Sequence, residues 1–186
     1  PKRDWSSDVC SSDLGDRLRV PPALLAAMAA ISLMACGVLA RTQVSYWKNG
    51  VSVWTHAVDV TGPNSLARAN LGEALALAGD VDGAIREYSE ALRISPGIAQ
   101  TRNNLGLALR RRGRDAEALA QFQTAIEIRP AYAEAHNNLA NLFSDLGRPA
   151  EAVPHWREAI RLAPGDAAPR VNLALALGQR GQTDRK

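Results

Sequence analysis

The residues most able to do chemistry in this 186-residue chain are three histidines, two cysteines and a recurring asparagine. His56, His136 and His155 have no cysteine or carboxylate at the spacing of metal ligands, so we expect them at the surface or between helices. Two cysteines cannot build a disulfide framework or a structural zinc site, and Cys36 lies in an apolar run where its thiol should be inert. The sequence therefore predicts no catalytic residue, no metal site and no cofactor.

A carboxamide recurs every 34 residues, at Asn70, Asn104, Asn138 and Asn172. An amide offers both a donor and an acceptor, which suits binding to the main chain of an extended peptide. The alternative is that these asparagines make only local hydrogen bonds. Four bonds of about 1 kcal/mol each give only about millimolar affinity, so neighbouring side chains would have to contribute. The candidate neighbours are Asn103, Asn137, Asn141, Glu73 and Asp145.

The one dense cluster of charge consists of Arg110, Arg111, Arg112 and Arg114. It is interpreted either as a solvated turn or as a patch for acidic partners or lipid headgroups. A net charge of +3 is small, and no aromatic residues interleave with these arginines. We therefore expect no nucleic-acid partner.

The elements that must position these residues repeat with a period of 34. Three further residue types recur with the asparagine: a glycine, an aromatic ring and a proline. They are Gly79, Gly113, Gly147 and Gly181; Tyr88, Phe122 and Trp156; and Pro63, Pro96, Pro130 and Pro164, the prolines being 33, 34 and 34 residues apart. This period with these residue types resembles the tetratricopeptide repeat (TPR), a helical hairpin that stacks into a solenoid.

In such a repeat the glycine ends the first helix, the ring fills the gap between units, and the proline closes the second helix. The fold class is therefore all-α, a TPR helical-hairpin solenoid of about three full repeats with a half repeat at each end. Pro154 lies inside a second helix and should bend it or cost it a hydrogen bond. The predicted helices are 65–78 and 81–94, 98–111 and 114–128, 131–146 and 149–162, and a single helix at 167–179.

The corresponding segments are a half repeat at 46–63, repeats at 64–96, 97–130 and 131–164, and residues 165–186. That last segment is either the first helix of a fourth repeat or a capping helix, with a tail. The asparagine column resembles the asparagine ladder in the repeat domain of O-linked N-acetylglucosamine transferases. The resemblance implies a groove that holds the main chain of an extended peptide.

Residues 4–14 resemble one translated reading frame of a common sequencing adapter. We interpret residues 1–14 as an adapter-derived artefact without ordered structure, the alternative being a natural Ser/Asp-rich tail. On the first interpretation Cys10 is not native, and the protein continues upstream of Gly15.

Residues 20–40 carry no charge and are bracketed by Arg19 and Arg41. As a helix they would be about 31 Å long, against about 30 Å for the hydrocarbon core of a bilayer. We predict a transmembrane helix within residues 15–45, with a membrane contact through residues 20–40. A cleaved or lipidated signal segment and a buried helix are the alternatives.

The run from Arg41 to Trp54, with Tyr46-Trp47 at its centre, lies between this apolar segment and the repeats. It resembles the junction in transmembrane and TPR-containing O-mannosyltransferases and their bacterial relatives, a likeness that covers about residues 20–180. In that family a many-helix glycosyltransferase ends in a last span and a repeat arm. The resemblance implies an extracytosolic, periplasmic arm. The catalytic half is absent from this sequence, so no catalytic residue is carried over.

Together these observations predict a non-catalytic TPR scaffold that binds a protein or an extended peptide. It would be tethered to a membrane as the C-terminal arm of a larger polytopic glycosyltransferase-like protein. The alternative is a stand-alone membrane-anchored or lipoprotein TPR adaptor for envelope assembly.

Overall fold

The computed structural model describes residues 22–46 and 49–183, and these residues form helices without strands. Helix α1, Pro22–Tyr46, belongs to a first compact unit, and the other described helices belong to a second. The second unit consists of α2 (Gly50–Thr61), α3 (Ser65–Leu77), α4 (Val81–Ile94), α5 (Ala99–Arg111), α6 (Asp115–Ile128), α7 (Ala133–Asp145), α8 (Pro149–Leu162) and α9 (Ala168–Thr183). The predicted adapter segment and Trp47 lie outside the described residues.

The predicted membrane span is wrong. Within the described residues, no helix combines the length and the apolar character that crossing a bilayer requires. Seven of the 21 residues at 20–40 are alanines, whose small side chains offer far less apolar surface than leucine. Without this span, the predicted single-span membrane location is wrong as well, and so is the periplasmic placement of the repeat arm.

Helices α3 and α4, α5 and α6, and α7 and α8 form the three predicted hairpins, with bounds within two residues of those predicted. Each hairpin turns through a glycine with positive φ, at Gly79, Gly113 and Gly147. Residues at this φ cost little only when they lack a Cβ. The amide of Arg114 then donates to Leu109 O at 3.0 Å, which satisfies a carbonyl at the end of α5.

The core is built from the recurring aromatic ring and the small residue it covers. Tyr88 lies against Gly72, and Phe122 against Gly106, so closely that an added Cβ would come within 2.8 Å and 2.6 Å of the ring. The third hairpin has Ala140 at this position, and its Trp156 is buried as well. Close approach of the two helices therefore explains why the small residue and the ring recur together.

The two ends of the solenoid differ from the central hairpins. Helix α2 begins at the cap Asn49, whose Oδ1 accepts a hydrogen bond from Ser52 N at 2.8 Å. Helix α9 was predicted to end near residue 179, but it continues through Gly181 to Thr183. No further helix packs back on it within the described residues. Helix α8 is likewise continuous through Pro154, on its exposed side.

Candidate functional site

The first helices of the hairpins, α3, α5 and α7, lie side by side with α9 and form one face of the second unit. Hydrogen bonds between asparagines join α7 to α5 and α9 to α7. We call this face the groove. Three depressions in the described part of the chain lie along the groove or at its start, between α2 and α3.

The depression at the start of the groove has a volume of about 530 Å³ and a mainly apolar lining. Trp54 of α2 and Ala74 and Leu77 of α3 line it, together with the polar groups of Asn70 and Glu73. The side chain of Leu77 is 84% exposed, so a ligand group entering here would remove apolar surface from water.

Two smaller depressions follow along the groove and are more polar. The first, of about 80 Å³, lies between α3 and α5 and includes Asn70, Gln100 and Asn104. The second, of about 270 Å³, lies between α5, α7 and α9. Its lining consists of Arg110, Asn141, Ser144, Asp145, Trp156, Asn172 and Leu175.

The asparagine column is partly used inside the protein. Asn138 is 8% exposed, and its Nδ2 donates to Asn103 Oδ1 at 2.9 Å. Asn103 is 0% exposed and donates in turn to Glu134 Oε1 at 3.3 Å. Asn103 therefore holds α5 to α7 and is out of reach of a ligand in this conformation. Asn138 therefore fits the interpretation in which an asparagine of the column makes hydrogen bonds within the protein. Peptide binding remains the interpretation for the other members of the column.

Asn141 and Asn172 are arranged differently, because hydrogen bonds fix which way each amide points. Asn141 Oδ1 accepts from Trp156 Nε1 and from Asn172 Nδ2, both at 2.9 Å. The Nδ2 group of Asn141 and the Oδ1 of Asn172 are left for other partners. On these two amides, the depression between α5, α7 and α9 therefore offers an NH2 donor group and a carbonyl acceptor with defined orientations.

At the other end of the groove, Glu73 and Asn104 both influence the pKa of the Tyr88 hydroxyl. Burial, followed by the charge of Glu73, raises the pKa of Tyr88 to about 12, while a hydrogen bond from Asn104 and the charge of Arg111 act in the opposite direction. Tyr88 is therefore a neutral hydroxyl over the whole physiological range. Asn70 lines the depressions on both sides of α3.

Asn137, the remaining predicted groove residue, has a buried Oδ1 that accepts no hydrogen bond in the described part of the chain. An unpaired buried carbonyl oxygen carries a desolvation cost of about 1–3 kcal/mol. Asn137 therefore carries a cost in stability, and its buried oxygen is out of reach of a ligand in this conformation.

The arginine cluster is largely matched by acids of the same chain. Arg111 Nη1 reaches Ala76 O at the end of α3, at 3.5 Å. The other three arginines form ion pairs, so an acidic partner would have to displace a carboxylate already in place. The pairs are Arg110 with Asp145, Arg112 with Asp82, and Arg114 with Glu117.

A second polar column connects each first helix with the second helix of its own hairpin. Its partners are 19 residues apart, and both positions recur at 34, so the spacing was visible in the sequence although it was not predicted to form contacts. The pairs are Arg68 with Glu87 at 2.8 Å, Arg102 with Gln121 at 3.1 Å, and His136 with His155 at 3.1 Å.

The same first-helix residues also contact the preceding loop. Arg102 Nε donates to Pro96 O at 3.1 Å, and His136 Nε2 lies 3.0 Å from Pro130 O. Arg68 Nε is buried without such a partner. The first proline spacing is 33 rather than 34, and the carbonyl of Gly62 instead accepts from Asn64 N at 2.8 Å. A loop one residue shorter explains the missing bond.

Among the described residues, no group of three or more histidines, cysteines or carboxylates could hold a metal ion. Cys36 is exposed on α1 rather than covered. The groove offers hydrogen-bonding groups, apolar surface and paired charges, and these features suit the binding of a ligand.

Three family models match the sequence. One, described as TPR repeat, covers residues 106–147, and two described as tetratricopeptide repeat cover 51–99 and 133–166. Together they span more than half of the chain. The protein belongs to the tetratricopeptide repeat family, as its period predicted. None of the three describes an enzyme.

Solved structures with the same fold share about a fifth of their residues with this chain. MamA has a TM-score of 0.68 at 20% identity, covering 77% of this chain and 84% of its own. YrrB, a TPR protein with an unusual peptide-binding site, has a TM-score of 0.60 at 20% identity, covering 66% and 63%. The first TPR of Spaghetti, bound to the HSP90 peptide SRMEEVD, has a TM-score of 0.62 at 19% identity, covering 63% and 96%.

No curated protein matches the sequence. The comparisons therefore establish the fold and the family.

Proposed function

We propose that residues 50–183 form a non-catalytic scaffold whose groove binds an extended segment of a partner protein. The observation that carries this proposal is the fixed donor and acceptor of Asn141 and Asn172 in a depression between three helices. A peptide unit presents one C=O and one N–H whatever its side chain, so such a pair suits recognition of main chain.

Two features of the groove add affinity to these hydrogen bonds. The apolar depression at Trp54 and Leu77 can bury one large aliphatic or aromatic side chain, which contributes about 1.5–3 kcal/mol. Hydrogen bonds to Asn70, Asn104, Asn141 and Asn172 contribute about 1 kcal/mol each. The sum corresponds to a Kd on the order of tens of micromolar. The expected ligand is therefore an extended segment with one apolar anchor.

Two structural neighbours support a peptide ligand by analogy. YrrB is described by its peptide-binding site, and the Spaghetti domain holds an HSP90 peptide. At about 20% identity the likeness extends to the fold alone, so the ligand of this protein has to be found from its own groove.

The finer predictions concern the protein to which this scaffold belongs. The resemblance at residues 41–54 favours a repeat arm of a larger glycosyltransferase-like protein, and the alternative is a stand-alone adaptor for envelope assembly. The complete coding sequence would separate the two. A glycosyltransferase domain upstream of the repeats favours the first, and a start codon shortly before them favours the second.

Selection from a phage-displayed library of random 12-residue peptides tests the binding proposal. The full chain is the target at pH 7.5, and fluorescence anisotropy gives the Kd of the best peptides. We expect Asn104→Ala with Asn172→Ala to raise this Kd by about tenfold or more. Gln123→Ala, on the exposed side of α6, is the matched control.

Helical content by circular dichroism should be unchanged in both variants. The proposal is rejected if no selected peptide binds below about 1 mM. It is also rejected if the double asparagine variant binds as tightly as the Gln123 control.

A further inference from the structure

Two imidazole rings meet inside the third hairpin. The Nδ1 atoms of His136 on α7 and His155 on α8 are 3.1 Å apart, with ring centroids 5.3 Å apart and planes 32° from parallel. His136 is 7% exposed, and the ring of Phe143 stacks on His155 at 5.9 Å. The contact is therefore a hydrogen bond between two rings, largely shielded from water.

The neighbouring carbonyl fixes the position of each proton. Pro130 O can only accept, so His136 Nε2, at 3.0 Å, must carry a hydrogen. In the neutral ring His136 Nδ1 is then an acceptor, and His155 Nδ1 must be the donor. The two histidines thus adopt opposite tautomers at neutral pH.

The pair tolerates one added proton but not two. A proton on His155 Nε2 leaves the Nδ1–H of His155 donating to His136. A second proton, on His136 Nδ1, places two N–H groups and two positive charges against each other, and the hydrogen bond is lost. Burial and then the charge of His136 lower the pKa of His155, as expected when a neutral pair is favoured.

Ionisable groups on the surrounding elements do not remove this conflict. A hydrogen bond from Arg161, at 2.6 Å, is the main cause of the lowered pKa of Glu158 on α8, and the charge of His136 contributes least. Other charged groups on the elements packed around the pair have contacts of their own or are exposed. Arg129 lies over the Tyr132 ring, and Glu134 is bonded to Asn103. Arg148 lies over the Phe143 ring and pairs with Glu151, Asp145 pairs with Arg110, and Arg157 and Arg170 are exposed.

The pair is connected to the groove through adjacent residues. Trp156 follows His155 on α8, and its Nε1 donates to Asn141 on α7. Separation of α7 and α8 at the histidines would therefore release the residue that orients the groove amides. The first and second hairpins carry Arg68–Glu87 and Arg102–Gln121 at the same positions, and neither pair contains a histidine.

We propose that the His136–His155 hydrogen bond is a proton-sensitive contact that holds α7 to α8 at neutral pH and releases them on acidification below the ordinary histidine range, weakening ligand binding in the groove. The effect on binding rests on the proposed function of the groove, whereas the effect on stability does not.

The sign follows from linkage. The lowered pKa of His155 opposes the first proton, and the second proton, on His136, costs the pair its hydrogen bond. The folded pair therefore binds fewer protons than two unfolded histidines once the pH falls below the unfolded pKa, about 6.5. The stabilisation is complete above that pH and is lost progressively below it as the pair takes up both protons.

The matched control is His136→Arg with His155→Gln, which copies the pair of the second hairpin. Thermal unfolding of the full chain is followed at pH 7.5 and pH 5.0. We expect the Tm of the wild type to fall by about 4 °C or more beyond that of the control. Equal falls in Tm would overturn the proposal.

Nitrogen NMR of the wild type gives an answer even if the control variant does not fold. At pH 7.5 we expect His136 protonated at Nε2 and His155 at Nδ1, whereas two Nε2 tautomers with ordinary titration curves would overturn the proposal.

Peptides selected at pH 7.5 then test the groove. For the wild type, the Kd of these peptides should rise about threefold or more at pH 5.0, because a smaller fraction of the molecules then has a groove able to bind. For the control the Kd should not rise. If no peptide binds at pH 7.5, the proposed function fails while the Tm and the tautomers still decide this inference.

Discussion

The indole Nε1 of Trp156 donates a hydrogen bond to Oδ1 of Asn141 across 2.9 Å. This bond links the ring that fills the core of the third hairpin to a side chain on the wall of the groove. Because Asn172 donates to the same oxygen, a single amide sets the orientation of the donor and the acceptor offered there. Core packing and the candidate binding site are therefore coupled at one residue.

Asn141→Ala should destabilise the protein by about 1–3 kcal/mol, because the buried Trp156 Nε1 loses its acceptor. Asn141→Asp keeps acceptor oxygens at this position and should cost less than Asn141→Ala. Urea unfolding at pH 7.5 measures both changes. If Asn141→Ala were as stable as the wild type, the hydrogen bond from the Trp156 indole would not contribute to stability.

Gly106→Ala should destabilise the second hairpin by about 1–3 kcal/mol, since the new Cβ would lie 2.6 Å from the Phe122 ring. Gly97→Ala is the control, because nothing lies within 4 Å of a Cβ there. We expect the control to change stability by no more than about 0.5 kcal/mol. The comparison uses the midpoints of chemical denaturation, and similar midpoints for the two variants would contradict the packing argument.

Tyr88 should titrate near pH 12, two units above an ordinary tyrosine. A raised folded pKa means that its contribution to stability is fully present below pH 10 and is lost between about pH 10 and 12, amounting to on the order of 2 kcal/mol. Absorbance at 295 nm follows the phenolate. A Tyr88→Phe variant should lose the latest transition, and an unchanged titration curve would refute the assignment.

The ion pair of Arg110 and Asp145 joins α5 to α7 but is partly exposed, its side chains being 31% and 57% accessible. A double-mutant cycle with alanine should give a coupling of at most about 1 kcal/mol that declines with added salt. A coupling above 2 kcal/mol that persists in 1 M NaCl would mean that this pair, rather than the packed rings, holds the repeats together.

The sequence predicted the hairpins well because each recurring residue has one local physical task. Gly113 must adopt positive φ, and Phe122 must cover Gly106, so the pattern and the structure share a cause. The last helix was predicted to stop before Gly181 by analogy with such turns. The described residues contain no following helix there, and the glycine stays helical.

The candidate site was less predictable because the hydrogen-bond partners of a side chain depend on the neighbouring repeat. Asn103 and Asn137 occupy the same repeat position, yet only Asn103 meets both Glu134 and Asn138 across the interface. Likewise, His136 and His155 are isolated histidines in the sequence, and only the fold brings their rings together. The uncharged run at 20–40 suggested a span by length alone, without the apolar surface that a span requires.

Side-chain amide NMR of the full chain with a library-selected peptide tests the groove most directly. We expect titration to shift the amide resonances of Asn70, Asn104, Asn141 and Asn172 and to leave the signals of α4 and α6 in place. Shifts confined to the second helices, with those four amides unmoved, would contradict it.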